Sequence, residues 1–462
     1  MSDAQRALWP RPTAIEWLCL AASLLLSLQY SWLLDDAFIY FRYVDNLVHL
    51  GRGLVFNEGE YVEGFSSPLW CVTLVPLRAL GLDWWMITRL LALGCAGLAW
   101  WLLVVLARRT APVGIPIVNA PLAYLSFNYA TQTYFTGGVE APMVQLVAVA
   151  FALFVFAPDM RVAQWLVGLA PMIRHELALP LAIALAWLAW RERRLRWTPV
   201  LVASATLGAW LFFRVVYYAD FLPNTFYLKD EVNWARGFTY LRDTFSTYGT
   251  YWLLPAFLLL ALALRRERGL LLGARTILLL SALAVCAYVA KIGGDPRHYR
   301  YLAFPFVVLA CAWSGLLEHA LARWPAGSRR NGARLAAGAI AFGTFFLYPA
   351  QLSKHPFGRD AAHTKIDEIN DAHYHRLKTD LTYSPWSLTP EIEQLDDAQL
   401  DLAYGESPLL PQGPVDIRDE YARWRASGET PRDYPLTTIG WCATSWRMFT
   451  HTFVHWDGLT DP

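Results

Sequence analysis

The sequence is short of charge. Only 17% of its 462 residues are Asp, Glu, Lys or Arg, whereas a soluble globular chain carries about a quarter. The net charge is +1, so nothing global points to a nucleic-acid partner. It has six cysteines but no CxxC or HExxH spacing, which excludes the common zinc-binding patterns. Cys19, Cys71, Cys95, Cys286 and Cys311 fall in apolar segments, and Cys442 stands alone in a hydrophilic tail. No structural disulfide is therefore expected in that tail. There is no internal repeat and no low-complexity stretch. The first apolar run, Ala14 to Leu34, is not followed by a small-residue cleavage site, so it is expected to stay as a first helix.

Apolar residues are what the chain has in abundance. They make up 56% of it and sit in blocks separated by short arginine-rich stretches, the pattern of an all-α polytopic membrane protein. Twenty-two Trp and 22 Tyr suit interfacial belts. The basic clusters are Arg108-Arg109, Arg191 to Arg196, Arg265 to Arg268 and Arg323 to Arg334. Placing them on the cytoplasmic side gives a consistent topology with the N-terminus inside. Spans are expected near 14–34, 84–107, 112–134, 140–157, 198–217, 250–264, 270–290, 301–318 and 335–352. Residues 162–190 must form two short helices, because a single span would put the Arg191 to Arg196 cluster outside. Their junction holds Arg174, His175 and Glu176 near the outer face. Pro68 to Leu80 is too short to cross ~30 Å of hydrocarbon and reads as interfacial or re-entrant. The total is about 11 transmembrane helices, in a membrane domain over 1–352. A small extracytoplasmic domain, mixed α/β or largely irregular, follows over 353–462, and the C-terminus lies outside.

The outer loops are then 35–67, 218–249 and 291–300, and their composition is unusual. Asp35-Asp36 precedes a stretch, 37–48, with helical apolar spacing, which suits a juxtamembrane helix lying in the interface. Carboxylates are favoured at a helix start by the dipole, so the pair could simply cap this helix. Adjacent helical positions point about 100° apart. If the pair is catalytic, one carboxylate therefore faces the reacting centre while the other supports it. The stretch 291–300 carries Gly293-Gly294 and then Arg297, His298 and Arg300. Such a cluster outside breaks the positive-inside trend, and a phosphate ligand or lipid headgroups would account for it. Pro223-Asn224-Thr225 is turn chemistry at a span exit, with Lys229 just beyond. Carboxylates, cations and aromatics gathered at a membrane surface suit transfer of a sugar from a polyprenyl phosphate. One Asp takes the proton of the acceptor hydroxyl, and cations hold the leaving phosphate.

The run DDAFIYFRYVDNLVHLGRGLVFNEGEYVEGFSSPLW, from Asp35 to Trp70, resembles the N-terminal signature of bacterial arabinofuranosyltransferases of the GT-C fold. Thr136–Glu140 (TGGVE), Tyr217–Lys229, Gly293–Arg300 and the closing Gly458–Pro462 (GLTDP) look like later motifs of the same family, in the family's order. The resemblance implies a GT-C fold and an inverting transfer of arabinofuranose from a polyprenyl-phosphate donor on the periplasmic side of the bacterial inner membrane. It makes Asp35 and Asp36 the catalytic carboxylates, with Asp35 expected as base and Asp36 in support. It places Arg174, His175, Lys229, Arg297, His298 and Arg300 at the donor phosphate. Arg42, Glu63, Glu140, Glu176, Asn224 and Asp295 are expected as substrate-binding or supporting residues. No cofactor is required; a divalent cation, Mg or Mn, would use Asp35 or Asp36. The chain departs from the family at Arg174-His175-Glu176, where an Arg-Pro-Glu type motif is common, and at His455, where Asp is common. Its C-terminal domain is also short, which favours a protein acceptor such as type IV pilin, or a short surface glycan, over a long arabinan.

Three other readings compete. A GT-C transferase of mannose, aminoarabinose or a whole oligosaccharide would use the same base and phosphate clamp. A lipid-linked-sugar transporter would place charges at mid-membrane and show repeated halves. A non-catalytic scaffold would tolerate loss of both aspartates.

Overall fold

A computed structural model describes residues 10–29, 34, 36–111, 119–228, 232–247, 273–295, 299–322 and 327, with two short stretches at 436–438 and 453–455. The expected spans near 250–264 and 335–352, Cys442 and nearly all of the tail lie outside the described residues. So do Asp35, Lys229, Arg297 and His298.

The described part is almost wholly helical. Its helices are α1 (Ala14–Gln29), α2 (Ala37–Val48), α3 (Pro68–Ala79), α4 (Trp84–Thr110), α5 (Ala120–Phe127), α6 (Tyr129–Phe135), α7 (Ala141–Phe156), α8 (Arg161–Ile173), α9 (Ala178–Glu192), α10 (Trp197–Tyr218), α11 (Asn224–Leu228), α12 (Trp234–Thr247), α13 (Ala274–Lys291), α14 (Ala303–Ala312) and α15 (Leu316–Ala322). Single 3-10 turns at His175–Leu177 and Arg300–Leu302 precede α9 and α14. In the tail, β1 (Leu436–Thr438) and β2 (Phe453–His455) pair in parallel, with Leu436 opposite Phe453. Three helices, α4, α10 and α13, are long and apolar enough to cross a membrane. Together with the shorter apolar helices they make this a multi-pass membrane protein.

Helix α7 is the centre of the bundle. It is apolar all round and buried on nearly every face, as a helix surrounded by others must be. It packs on α4, α8 and α14. Its first turn carries Pro142, which suits a helix start, and the residue just before the helix is Glu140. The centre of the bundle thus delivers a carboxylate to the end where the outer loops gather.

Several expectations are refined. Helix α3 is a 12-residue helix, about 18 Å long at 1.5 Å per residue, in keeping with a segment that cannot span. Residues 162–190 do form two short helices meeting at Arg174–Leu177. The stretch 112–134 is not one helix: α5 starts at Ala120 and Asn128 separates it from α6, its side chain accepting from Thr131 N at 3.1 Å. The stretch 301–318 breaks at Gly315 (φ +73°), where a Cβ would lie 2.3 Å from the Thr110 carbonyl oxygen. Helix α2, expected as a juxtamembrane helix, is buried from Ile39 to Asn46 because the loop that follows it folds back over it. Tyr43 Oη donates to Val62 O at 2.6 Å, and Asn46 Nδ2 donates to Val55 O at 2.8 Å. The loop is tied in turn to α10: Leu54 N donates to Tyr217 Oη, and Tyr218 Oη donates to Leu54 O, both at 2.8 Å. Gly53 (φ +91°) permits this approach, since a Cβ there would meet Tyr217 Oη at 2.3 Å.

A candidate active site of linked carboxylates and arginines

Asp36 occupies the N-cap position of α2, yet its side chain makes no capping bond. Its carboxylate pairs with Arg300 instead. The capping explanation of this aspartate is therefore excluded by where its oxygen goes. Glu140 repeats the arrangement at the start of α7, again with no capping bond to its own helix. Its Oε1 accepts from Arg174 Nη1 at 3.0 Å and lies 3.8 Å from Arg300 Nη2. Arg174 also donates from Nε to Glu176 Oε1 at 2.5 Å. Asp295 Oδ2 lies 4.0 Å from Arg300 Nη1. Two arginines and four carboxylates thus form one continuous network, drawn from the starts of α2 and α7, the α8–α9 junction and the 291–300 loop.

The elements that carry these groups are also fastened to one another. Leu34 N donates to Gly137 O at 2.8 Å, so the Thr136–Glu140 loop is joined to the approach to Asp36. Trp70 Nε1 donates to Gly138 O at 3.0 Å, tying α3 to the same loop. Arg174 lies over the Tyr301 ring, 4.0 Å from its centroid, which holds the guanidinium flat. The network is deeply buried: Glu140 is 1%, Glu176 3%, Asp295 3% and both arginines 7% exposed. Burial alone would raise the Glu176 carboxyl, but the positive charges of Arg174 and His175 hold it below the usual range.

Arg174 and Glu176 also line an open cavity of about 660 Å³, together with Ser66, His175, Thr225, Phe226, Tyr288, Lys291 and Tyr301. His175 Nε2 hydrogen-bonds Tyr288 Oη at 2.6 Å, and its side chain is half exposed. Cations, aromatics and Glu176 therefore line the open side, while Glu140, Asp36 and Asp295 are not among its lining residues. Of the expected site residues, the structure brings together Asp36, Glu140, Arg174, His175, Glu176, Asp295 and Arg300.

Two expected support residues are elsewhere. Arg42 is 1% exposed and its Nε donates to Phe56 O at 2.6 Å; it holds the loop over α2. Glu63 pairs with Arg214 and accepts from Trp210 Nε1 at 3.2 Å, clamping the outer loop to α10. Its burial outweighs Arg214 and raises its carboxyl. Asn224 is intermediate: its backbone N donates to Glu63 O at 3.0 Å, and the next residues, Thr225 and Phe226, reach the cavity. Among the described residues no group of three or more His, Cys, Asp or Glu side chains is arranged to hold a metal.

Sequence reasoning missed Lys291, Tyr288, Tyr301 and Ser66 as cavity residues. Lys291 opens the cation-rich stretch and Tyr301 follows Arg300, so both were within reach. Tyr288 lies one turn inside an apolar helix, and nothing in the sequence marks it.

No protein-family model matches the chain. It is 29% identical over 334 residues to the terminal beta-(1->2)-arabinofuranosyltransferase of Corynebacterium glutamicum, across 60% of this chain and 47% of that protein. It is 27% identical over 345 residues to the protein of the same name from Mycobacterium tuberculosis, across 63% of this chain and 54% of the other. The chain spans about half the length of these curated relatives. Its fold is similar to that of ArnT from Cupriavidus metallidurans, crystallised with undecaprenyl phosphate: the TM-score is 0.50 at 17% identity, over 79% of this chain and 68% of that one. The helical architecture is accordingly similar to the GT-C fold of ArnT.

Proposed function

We propose that this chain is an inverting glycosyltransferase that moves arabinofuranose from a polyprenyl-phosphate donor to an acceptor at the outer face of the bacterial inner membrane. The observation that carries the reading is the paired network itself. Asp36, which could have capped its own helix, is turned to Arg300, and that arginine leads through Glu140 to a cavity lined by Arg174, His175 and Lys291. The undecaprenyl phosphate bound to ArnT and the names of the relatives supply the donor class and the sugar.

In this reading the donor phosphate lies among the cavity cations, where Arg174 and Lys291 stabilise the charge that grows on it as the glycosidic bond breaks. Lys229, Arg297 and His298 complete the clamp. Asp35 removes the proton from the acceptor hydroxyl as it attacks the anomeric carbon. Asp36 supports it from the adjacent position at the start of α2. No step requires a metal. The acceptor is a protein, such as a pilin, or a short surface glycan handled by the 353–462 region.

The test is a transfer assay with purified full-length protein and a panel of polyprenyl-phosphate sugars. Transfer from the arabinofuranose donor, lost in Asp35→Asn, is the expected result. Transfer only from a hexose or aminoarabinose donor would overturn the sugar, and the same rate in Asp35→Asn and Asp36→Asn would overturn the site.

A further inference from the structure

The two arginines of the network share one carboxylate oxygen. Glu140 Oε1 accepts from Arg174 at 3.0 Å, while Arg300 Nη2 waits at 3.8 Å, beyond hydrogen-bond distance. Glu140 Oε2 and Arg300 Nε have no hydrogen-bond partner among the described residues, although both atoms are buried. A carboxylate that is 1% exposed needs a cation beside it, because an unpaired buried charge is strongly unfavourable. Only one of the two arginines, Arg174, lines the cavity. The other holds Asp36.

We propose that Glu140 is a positioning residue that couples arrival of a phosphate in the cavity to release of Asp36 from Arg300. The inference rests on the polyprenyl-phosphate reading given above. An anion beside Lys291 draws the Arg174 guanidinium toward itself and loosens its hold on Glu140. The under-compensated Glu140 then attracts Arg300 across the remaining gap. Arg300 leaves Asp36 as it moves, so the acidic pair at the start of α2 becomes more basic once the donor is seated. The order of events follows: donor first, acceptor activation second.

The backbone around Arg300 suits such a shift. Tyr299 sits at φ +69°, ψ −42°, a sparsely populated region for a residue with a side chain. Gly293 and Gly294 take positive φ on the other side of the loop. The remaining charged and titratable groups facing the pair are Asp295 at 4.0 Å and the Tyr301 ring at 6.0 Å from Arg300, Glu176 on Arg174, and Tyr40, which lies within electrostatic reach of Glu140 and Arg300.

The test is infrared difference spectroscopy of the purified full-length protein with and without undecaprenyl phosphate, using undecaprenol as the control and calorimetry to measure binding separately. The expected result is a phosphate-dependent carboxylate signal that disappears in Asp36→Asn and in Glu140→Gln while both variants still bind. A signal that persists in Glu140→Gln, or binding by the unaltered protein without any signal, overturns the coupling and leaves the proposed function standing. Affinity that falls together with the signal in Glu140→Gln also overturns it, because that marks Glu140 as part of the anion site. Failure of the unaltered protein to bind overturns both readings. Should Glu140→Gln not fold, Glu140→Asp serves in its place: the shorter side chain keeps the charge but sets it farther from Arg300, so a weakened signal at unchanged binding is expected, and an undiminished signal overturns the coupling.

Discussion

Two buried carboxylate–arginine centres of the molecule are built in opposite ways. At the C-terminal end of α4 Arg108 donates to both oxygens of Glu16, at 2.9 and 2.6 Å. Asn119 Nδ2 adds a third bond to Glu16 Oε1 at 3.0 Å, and Thr13 N a fourth to Oε2 at 2.8 Å. Thr13 and Glu16 form a capping box, with the Thr13 hydroxyl accepting from Glu16 N. Every oxygen of this buried acid is satisfied. In the network around Arg174 and Arg300, by contrast, Glu140 Oε2, Glu176 Oε2 and Arg300 Nε find no hydrogen-bond partner among the described residues. Buried polar atoms are rarely left so in a purely structural setting. The first centre has nothing left to bind, whereas the second keeps bonding capacity in reserve. That difference separates a fastening from a site.

Substitutions can break the contrast in order of size. Asp35→Asn is expected to lower transfer by about 10² to 10⁴-fold, the range for loss of a general base, with little change in thermal unfolding. Arg174→Gln removes the cation from both Glu140 and Glu176. It should cost about 3–5 kcal/mol of stability and abolish transfer, which unfolding curves and donor binding would record together. Glu16→Gln should cost about 3 kcal/mol while sparing transfer per folded molecule. If transfer falls as steeply there as in Arg174→Gln, the distinction between the two centres is wrong. Tyr288→Phe deletes the bond to His175, worth about 1 kcal/mol. It should raise KM for the donor a few-fold with kcat unchanged.

Part of this was legible in the sequence because membrane helices announce themselves. The short Pro68 helix and the paired short helices around Arg174 followed from length and arginine placement alone. The cluster was legible because the arginine pattern of the sequence puts Arg174 and Arg300 on one expected side, and their side chains do meet at Glu140. Arg42 and Glu63, expected as substrate-binding or supporting residues, have partners that could not be read from the sequence, for a common reason. A charged residue in an outer loop reads the same whether it meets substrate or a carbonyl, and only the folded loop shows Arg42 spent on Phe56 and Glu63 on Arg214. The turn of Asp36 away from its own helix was equally invisible, since a cap and a counter-ion use the same residue type at the same position.

Helix α10 has 22 residues and almost none of its apolar window is buried by protein. At 1.5 Å per residue it is about 33 Å long, close to the thickness of the hydrocarbon it would cross. Its outer end is moored by Arg214 to Glu63 and by Tyr217 and Tyr218 to Leu54. It packs along α8, and that packing together with the mooring sets its tilt, so a mismatch between helix and bilayer is passed to the loop folded over α2. On the proposed function, reconstitution in lipids of graded chain length is therefore expected to change the rate of transfer without any change in the sequence.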